Sequence, residues 1–239
     1  GNEYSFGALC SNFISSDDVH IPRFDRFRKQ YKHLSSNPYD FELQCFKRFY
    51  LLEKCAKTMG ANEFWMIDSD VLLIENLSEI QKSLLKNGYI AALSTEVQKS
   101  SFTMASCPHI SFWTLGALSD FIDFLDHMYE RYSEILESKY KHQQENELQG
   151  GVCDMTALFL WSKTKNIFNT SRAYIDGYSY FDHQINQSTN FDNDEFDFIP
   201  MVNLKRVVRR NNINYVYSKK LKSYIRVACL HFQGGSKVY

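Results

Sequence analysis

The chain has 239 residues and a formal net charge of −1, and 44% of its residues are hydrophobic and 15% aromatic. A chain of this length and apolar content can bury a full core, which excludes an intrinsically disordered protein. The near-neutral charge gives no overall attraction to nucleic acid or to an anionic membrane. No run approaches the ~20 apolar residues of a membrane-spanning helix, and no signal-peptide pattern is visible. We therefore expect a cytoplasmic location without a membrane span, leaving open a peripheral membrane association or a place in a larger protein.

The six cysteines form no C-x-x-C pair, so their spacing supports neither a zinc motif nor a thioredoxin-like motif. Cys107, Cys153 and Cys229 lie in or beside apolar segments. We interpret these three as reduced core residues, which fits a reducing compartment. The sequence leaves open whether any disulfide forms.

The spacing of hydrophobic residues predicts the secondary structure of the first 60 residues. Residues 4–14 predict a strand, and Arg23–Tyr31 fit a short helix. The clearest helix spans residues 41–59 and stops at Gly60, since glycine readily adopts the left-handed conformation that ends a helix. Apolar residues recur in this helix at spacings of three and four, which predicts one buried stripe. The stripe consists of Phe41, Cys45, Phe49, Leu52 and Ala56.

The next apolar segment, residues 64–67, predicts a short buried strand, and a helical pattern after Ser78 ends at Asn87-Gly88. Strands alternate with helices up to this region, and the tail is rich in strand-forming residues with a turn at Asn211-Asn212. The pattern predicts one α/β domain over residues 1–239, with a mixed central sheet and a β-rich C-terminal part. The later elements expected are strands at 89–94 and 109–114, an amphipathic helix at 118–135, an exposed polar segment at 137–149, a helix at 154–163, an ordered loop region at 176–198 and paired strands at 204–230.

Two carboxylates, Asp68 and Asp70, follow the strand at 64–67. Burying an unpaired carboxylate costs several kcal/mol, so the pair needs either a compensating cation or a solvated strand end. Residues i and i+2 of an extended strand share a face, so both side chains can meet one ligand at the carboxyl end of a sheet. Carboxylate oxygens suit Mg²⁺ or Mn²⁺, which keeps positions open for phosphate oxygens.

A second group of polar residues closes the chain after an apolar strand. His231 can ligate a transition metal as neutral imidazole. Gly234 and Gly235 allow close backbone approach to an anion, and Lys237 can neutralise a phosphate. Each feature alone is also explained by a strand end, a turn and a tail lysine. Together with the carboxylate pair they suit a metal-bound diphosphate.

The run Asp68-Ser69-Asp70-Val71-Leu72-Leu73 followed by Asn76-Leu77 resembles the signature of the GT-A-fold glycosyltransferases, which use nucleotide sugars. The tail His231-Phe232-x-Gly234-x-x-Lys237 is similar to the His-x-x-Gly-x-Lys-Pro region of the glycogenin and galactosyltransferase-like retaining family. It departs by one residue in spacing, and valine follows Lys237.

The resemblance implies a Rossmann-like nucleotide-diphospho-sugar transferase fold and a set of ligand-binding residues. It implies that Asp68, Asp70 and His231 ligate Mn²⁺ or Mg²⁺. It further implies that the donor, expected to be a UDP-sugar, is held by Ser69, Gly234, Gly235 and Lys237. Only 67 residues precede Asp68, and residues 1–40 show no clean strand-helix-strand unit for the nucleoside. We therefore expect that unit to be compact or truncated in this sequence.

Asp154 follows Gly150-Gly151 and opens a predicted helix, so it fits a capping residue. Its position also resembles a segment of the retaining family in which an acidic residue lies near the transferred sugar, although Thr156 departs from that pattern. Asp154 is therefore a candidate sugar-binding or stabilising residue, a candidate base if the reaction inverts, or a cap.

Two further segments carry histidines. Phe181-Asp182-His183-Gln184 has the chemistry to contact an acceptor, a metal or neither, and a structural hydrogen-bonded pair is the favoured interpretation. His109 is interpreted as a core histidine with satisfied hydrogen bonds rather than a ligand.

The sequence thus predicts a metal-dependent glycosyltransferase that moves a sugar, with retention, from a nucleotide-sugar donor to a carbohydrate or glycoconjugate acceptor. Another metal-dependent enzyme of phosphate groups, a nucleotidyltransferase or a phosphohydrolase, is the first alternative. An inactive carbohydrate-binding relative is the second.

Overall fold

The computed structural model describes residues 19–96, 102–172, 179–191 and 195–234, which form a mixed α/β fold. The strand predicted over residues 4–14 lies outside the described residues, as do Gly235 and Lys237. Within these ranges, no helix combines the length and apolar character needed to span a membrane.

The predicted helices are present with shifted ends, and a further helix, Ser133–Glu145, covers much of the segment predicted only as polar and exposed. Gly60 ends the second helix in the left-handed conformation, at φ 67°, as its sequence position predicted. Asn76 caps the third by accepting a hydrogen bond from the Ser78 amide, two residues ahead of the predicted start. The described helices are α1 (Pro22–Gln30), α2 (Tyr39–Met59), α3 (Leu77–Lys86), α4 (Leu115–Arg131), α5 (Ser133–Glu145) and α6 (Asp154–Ser162).

The strands form two main sheets and a short two-stranded one. A four-stranded sheet has the order β1-β4-β3-β5, and only its β3–β5 pair is parallel. A second sheet has the order β2-β11-β10-β9, with β6 beside β11, and β7 pairs with β8. The strands are β1 (Glu63–Ile67), β2 (Val71–Leu73), β3 (Ala91–Thr95), β4 (Ser106–Thr114), β5 (Ile167–Asn169), β6 (Tyr180–Phe181), β7 (Phe198–Ile199), β8 (Leu204–Lys205), β9 (Val207–Arg210), β10 (Ile213–Ser218) and β11 (Ser223–His231).

Strand β4 separates two hydrophobic cores because alternate side chains point to opposite faces of a sheet. Trp113 packs in the larger core with residues of α1, α2, α4 and α6. Ile110 and Phe112 pack in the other, together with α3 and the β11 residues Ala228 and Cys229. The second core therefore joins the two main sheets.

The paired strands predicted for the tail are present. Strand β10 pairs antiparallel with both β9 and β11. Asn211 and Asn212 form the turn between β9 and β10 with φ values of 49° and 62°. Asparagine tolerates this left-handed region, which the tight hairpin turn requires.

Two expectations about burial were wrong, and a third held with one exception. Strand β1 is half-exposed rather than buried, because in the described chain it pairs with β4 alone at the edge of the sheet. The stripe assigned to α2 includes Phe41, which is 59% exposed, whereas Glu42 and Glu53 of that helix are buried. The polar segment at 137–149 is mostly exposed, as predicted, but much of it is helix α5, and its Lys139 is buried against the Thr103 and Met104 carbonyl groups.

Candidate functional site

Asp68 and Asp70 lie in the turn that joins β1 to β2. The Asp68 amide donates to the His109 carbonyl oxygen of β4, and the Val71 amide donates to the Asp68 carbonyl oxygen at 3.1 Å. The backbone is therefore a tight turn, and the expectation of an extended strand with both side chains on one face was wrong. The two carboxylates still lie close enough for the charge of Asp70 to act on Asp68. Ser69, between them, is exposed at the tip of the turn.

Strand pairing brings His231 beside Asp70. Val71 of β2 is paired with His231 of β11, and the Phe232 amide donates to the Asp70 carbonyl oxygen at 2.9 Å. As a result the His231 Nε2 atom lies 3.4 Å from Asp70 Oδ1. The His231 residue is only 4% exposed, so this imidazole faces the carboxylate from inside the protein.

A hydrogen bond at the Nδ1 side of the His231 ring determines which nitrogen carries the proton. His231 Nδ1 lies 2.5 Å from the His183 carbonyl oxygen, which can only accept a hydrogen bond. Nδ1 therefore carries the proton, and in the neutral ring Nε2 presents a lone pair towards a carboxylate oxygen. That arrangement is favourable only with a proton or a cation between the two atoms. A metal-ligating histidine is commonly held in this way by a backbone carbonyl.

Arg48 of α2 links Asp68 to Asp154. One guanidinium nitrogen donates to Asp154 Oδ2 and another lies 3.4 Å from Asp68 Oδ1. Burial lowers the pKa of Arg48, but the attraction of Asp154 and Asp68 outweighs burial and raises the pKa overall. Burial raises the pKa of Asp68 and Arg48 offsets that only in part, while Asp70 adds to the increase. Asp68 thus lies near two other carboxylates and one guanidinium.

Asp154 is the first residue of α6 and is 3% exposed. Its carboxylate bonds Arg48, and the helix begins after Cys153 with no side-chain cap. The capping interpretation therefore does not describe its side chain, although a carboxylate in the first turn still suits the helix dipole. Asp154 instead connects α6 to the Asp68 turn through Arg48.

A buried ion pair supports the loop that follows β6. Lys205 Nζ donates to Asp182 Oδ1 at 2.6 Å, and both side chains are fully buried. The second Asp182 oxygen accepts from the His231 backbone amide at 3.1 Å. Tyr180 also donates its hydroxyl to Asp182, so both oxygens of this carboxylate accept hydrogen bonds from the protein. Asp182 is a structural residue that fixes the end of β11.

Three side chains with metal-binding chemistry meet behind His231. Potential ligand atoms of Cys107, His109 and His183 all lie within 4.8 Å of one another. The His109 and His231 rings stack with their centroids 4.4 Å apart. Burial and neighbouring histidines lower the pKa of His109, and burial with His231 and Lys205 lowers that of His183 to about 3, so both rings are neutral at physiological pH. Burial raises the pKa of the Cys107 thiol to about 12.

The remaining predicted ligand residues lie at the end of the described chain. Gly234 adopts φ 58°, and the space where a Cβ atom would lie is open. This left-handed conformation favours glycine and leaves the backbone accessible. Gly235 and Lys237 lie outside the described residues.

The residues present fit a divalent cation at the Asp70–His231 pair. Two ligand atoms at about 2.0–2.2 Å from one ion lie roughly 3.0–3.5 Å from each other, depending on the coordination geometry. The observed 3.4 Å separation of Asp70 Oδ1 and His231 Nε2 lies in that range. Such an ion would also neutralise the carboxylates around Asp68, which Arg48 counters only in part.

Sequence reasoning missed Arg48 and Lys205 as site residues. Arg48 lies in the helix predicted over residues 41–59, but its partner Asp154 is 106 positions away. Lys205 is the second residue of the short strand β8, and only the fold shows that its charge is buried against Asp182. No local signal identified either cation.

Comparison of the chain with protein-family models, with curated proteins and with solved structures gave no match.

Proposed function

We propose that this chain is a metal-dependent glycosyltransferase that transfers a sugar, with retention, from a nucleotide-diphosphate donor to a carbohydrate or glycoconjugate acceptor. The donor we propose is a UDP-sugar. The observation that carries the proposal is the Asp70–His231 pair, in which a histidine held by a carbonyl group faces a carboxylate at 3.4 Å. Its supporting observation is the resemblance of the two segments that contain these residues to the GT-A enzymes.

The proposed metal ligands are Asp70 and His231, with Asp68 as the third. Mn²⁺ or Mg²⁺ bound there would neutralise the diphosphate leaving group as the glycosidic bond breaks. Ser69 is exposed at the tip of the turn and the left-handed backbone at Gly234 is open, which supports their assignment to the diphosphate. We assign Gly235 and Lys237 to the same diphosphate from their sequence positions.

Arg48 gives Asp154 a positioning role in this proposal. The guanidinium holds the Asp154 carboxylate beside Asp68, which places an acidic group next to the donor site. We assign the Asp154 carboxylate to a sugar hydroxyl group rather than to proton abstraction, because the Arg48 guanidinium pairs with its negative charge. This arrangement favours retention, in which a strong general base on the protein is not required.

A ligand-binding screen tests the proposal. The melting temperature is measured with UDP, other nucleoside diphosphates and their sugar derivatives, each with Mn²⁺, with Mg²⁺ and with a chelator. Binding to the folded state raises the melting temperature by linkage. We expect a metal-dependent increase with UDP-sugars that is lost in Asp70→Asn and kept in Asp40→Asn, a matched change at an exposed site. No metal-dependent shift with any nucleotide would contradict the proposal.

Product analysis separates the alternatives. Sugar transfer releases a nucleoside diphosphate, whereas a nucleotidyltransferase releases pyrophosphate and a phosphohydrolase releases free phosphate. Proton NMR of the first product gives its anomeric configuration, and an inverted linkage would contradict retention. An inactive carbohydrate-binding relative would bind a sugar without turnover of any donor.

A further inference from the structure

We propose that Cys107, His109 and His183 form a second metal site, selective for Zn²⁺ or a similar thiolate-binding ion, behind the Asp70–His231 pair. Cys107 and His109 are two residues apart on β4, so their side chains share a face of the sheet. His183 approaches from the loop after β6. The three potential ligand atoms lie within 4.8 Å of one another.

The hydrogen bonds of His109 select the nitrogen that would bind the ion. Its Nε2 atom lies 3.0 Å from the Asp182 carbonyl oxygen, which can only accept. Nε2 therefore carries the proton, and Nδ1 has a lone pair directed at Cys107 Sγ, 3.2 Å away. A carbonyl group that holds the far nitrogen of a ligating histidine is the usual outer contact of a zinc site.

His183 supplies the second observation. Its Nδ1 atom is buried and has no hydrogen-bond partner among the described residues. A buried polar atom without a partner destabilises the fold, because it has lost its hydrogen bonds to water without replacing them. The ring is nevertheless held in place, because it stacks on Phe191 and the His183 amide donates to the Asn190 side chain at 2.7 Å. A metal ion between the three side chains would account for a rigid imidazole with an unused nitrogen.

The distances suit tetrahedral coordination. With Zn–S near 2.3 Å and Zn–N near 2.0–2.1 Å, a sulfur and a nitrogen ligand lie ~3.5 Å apart. The 3.2 Å separation of Cys107 Sγ and His109 Nδ1 is close to that value. Because all three ligand atoms lie within 4.8 Å of one another, the ion requires His183 to approach the other two by up to about 1.5 Å. Three protein ligands leave one position for water or a further group. One thiolate and two imidazoles favour Zn²⁺ over Mn²⁺, whereas the Asp68–Asp70 carboxylates favour the harder ions.

An ion at Cys107, His109 and His183 would also affect the Asp70–His231 pair. The His183 carbonyl oxygen accepts from His231 Nδ1, and the His109 ring stacks on the His231 ring. An ion that fixes His109 and His183 would therefore fix the orientation of His231 as well. The proposal does not depend on the glycosyltransferase assignment, since it rests on a different ligand set.

Cobalt substitution tests the site directly. The full chain is freed of metal with a chelator and titrated with Co²⁺, whose tetrahedral thiolate complexes show visible d–d bands and a near-ultraviolet charge-transfer band from sulfur. We expect one equivalent of Co²⁺ with both features, displaced by one equivalent of Zn²⁺, and a higher melting temperature in the metal-bound protein.

Matched variants decide which residues bind the ion. Cys107→Ser is expected to remove the charge-transfer band, and His183→Gln to weaken binding by at least the roughly 10–100-fold typical of losing an outer contact. Cys55→Ser and His127→Gln, at other positions, are expected to leave the spectrum unchanged, as is Asp70→Asn. Circular dichroism checks that each variant is folded. Absence of the charge-transfer band in the wild-type chain, or its persistence in folded Cys107→Ser, would overturn the proposal. If Cys107→Ser does not fold, unchanged Co²⁺ affinity in His183→Gln would overturn it.

Discussion

The His231 imidazole faces the Asp70 carboxylate with Nε2 3.4 Å from Oδ1, although the two residues lie far apart in the sequence. The contact depends on the antiparallel pairing of β2 with β11 and on the His183 carbonyl oxygen that holds the opposite ring nitrogen. Because Nδ1 is committed to that carbonyl, Nε2 is the ring nitrogen that faces the Asp70 carboxylate. This geometry is the basis for the proposed cation site.

The first prediction concerns these two residues. Asp70→Asn and His231→Gln each remove one ligand, so each is expected to lower the Mn²⁺ affinity by more than about 100-fold, beyond the 10–100-fold typical of outer contacts. The double variant is expected to be only slightly worse than either single variant, because residues that act on one ion are not additive. Titration calorimetry with Mn²⁺ gives the affinities. Fully additive losses would show that the residues act separately.

The second prediction concerns Arg48. Arg48→Met leaves the 3% exposed Asp154 carboxylate without its cation, and breaking a buried ion pair costs about 3–5 kcal/mol. Arg48 is itself partly exposed, so we expect a loss of about 3 kcal/mol in the free energy of unfolding. Urea denaturation measures it, with the exposed Arg26→Met as control. Adding Asp154→Asn to Arg48→Met is expected to recover part of the loss, and a further loss of stability would contradict the pairing.

The third prediction concerns Lys205. The Lys205 and Asp182 side chains are fully buried, so Lys205→Met is expected to lower the free energy of unfolding by about 3–5 kcal/mol. The Asp182 carboxylate also holds the His231 amide, so the same variant is expected to weaken Mn²⁺ binding by about 10-fold as an outer contact. Exposed Lys86→Met is the control for both. Unchanged Mn²⁺ affinity in a folded Lys205→Met chain would show that this ion pair does not position His231.

The fourth prediction concerns alkaline pH. Burial and the Asp154 carboxylate raise the pKa of Cys45 to about 12 and that of Cys153 to about 11, from an ordinary value of 9.0. A raised folded-state pKa means that the unfolded chain loses the proton first. This contribution to stability is complete below pH 9 and decreases as the pH rises through 11 and 12.

The loss is expected to be about 1 kcal/mol for each thiol between pH 8 and pH 10. Urea denaturation at the two pH values measures it in the wild-type chain and in Cys45→Ala/Cys153→Ala. The double variant is expected to lose about 2 kcal/mol less over this interval, whatever its stability at pH 8. An equal decrease in both chains would contradict the buried-thiol explanation.

Local physics made much of the fold predictable from the sequence. The ends of α2 and α3 could be placed because Gly60 and Gly88 adopt left-handed backbone conformations that other residues rarely take. The hairpin at Asn211-Asn212 was found for the same reason. These signals depend only on the residue and its immediate neighbours, so one sequence suffices to recognise them.

Burial of polar residues was not predictable in the same way. Glu42 is buried in α2 because Ser35 and Asn37, which precede the helix, both donate to its carboxylate. Asp154 is likewise buried because it accepts a hydrogen bond from Arg48, which lies far away in the sequence. A prediction from hydrophobic spacing assigns every charged residue to the surface. The buried face of α2 therefore differs from the predicted stripe, because it includes Glu42 and Glu53 but not Phe41.

The candidate site was predictable in its residue types but not in its geometry. Asp68, Asp70 and His231 were chosen for their chemistry, and the structure places Asp70 against His231 but ties Asp68 to Arg48. The search for C-x-x-C pairs overlooked Cys107-x-His109, whose spacing of two residues shares a face on a strand. Its third member, His183, comes from a separate loop that only the folded chain brings near.

Electron paramagnetic resonance of Mn²⁺ tests the central claim most directly, because bound and free ions differ in signal. The full chain is titrated with Mn²⁺ in the presence of UDP, alongside Asp70→Asn and the exposed control Asp40→Asn. The account predicts one bound Mn²⁺ in the wild type and the control, tighter with UDP than without it, and none in Asp70→Asn. Binding of Mn²⁺ that is unchanged by Asp70→Asn, or no binding in any of the three chains, would contradict it.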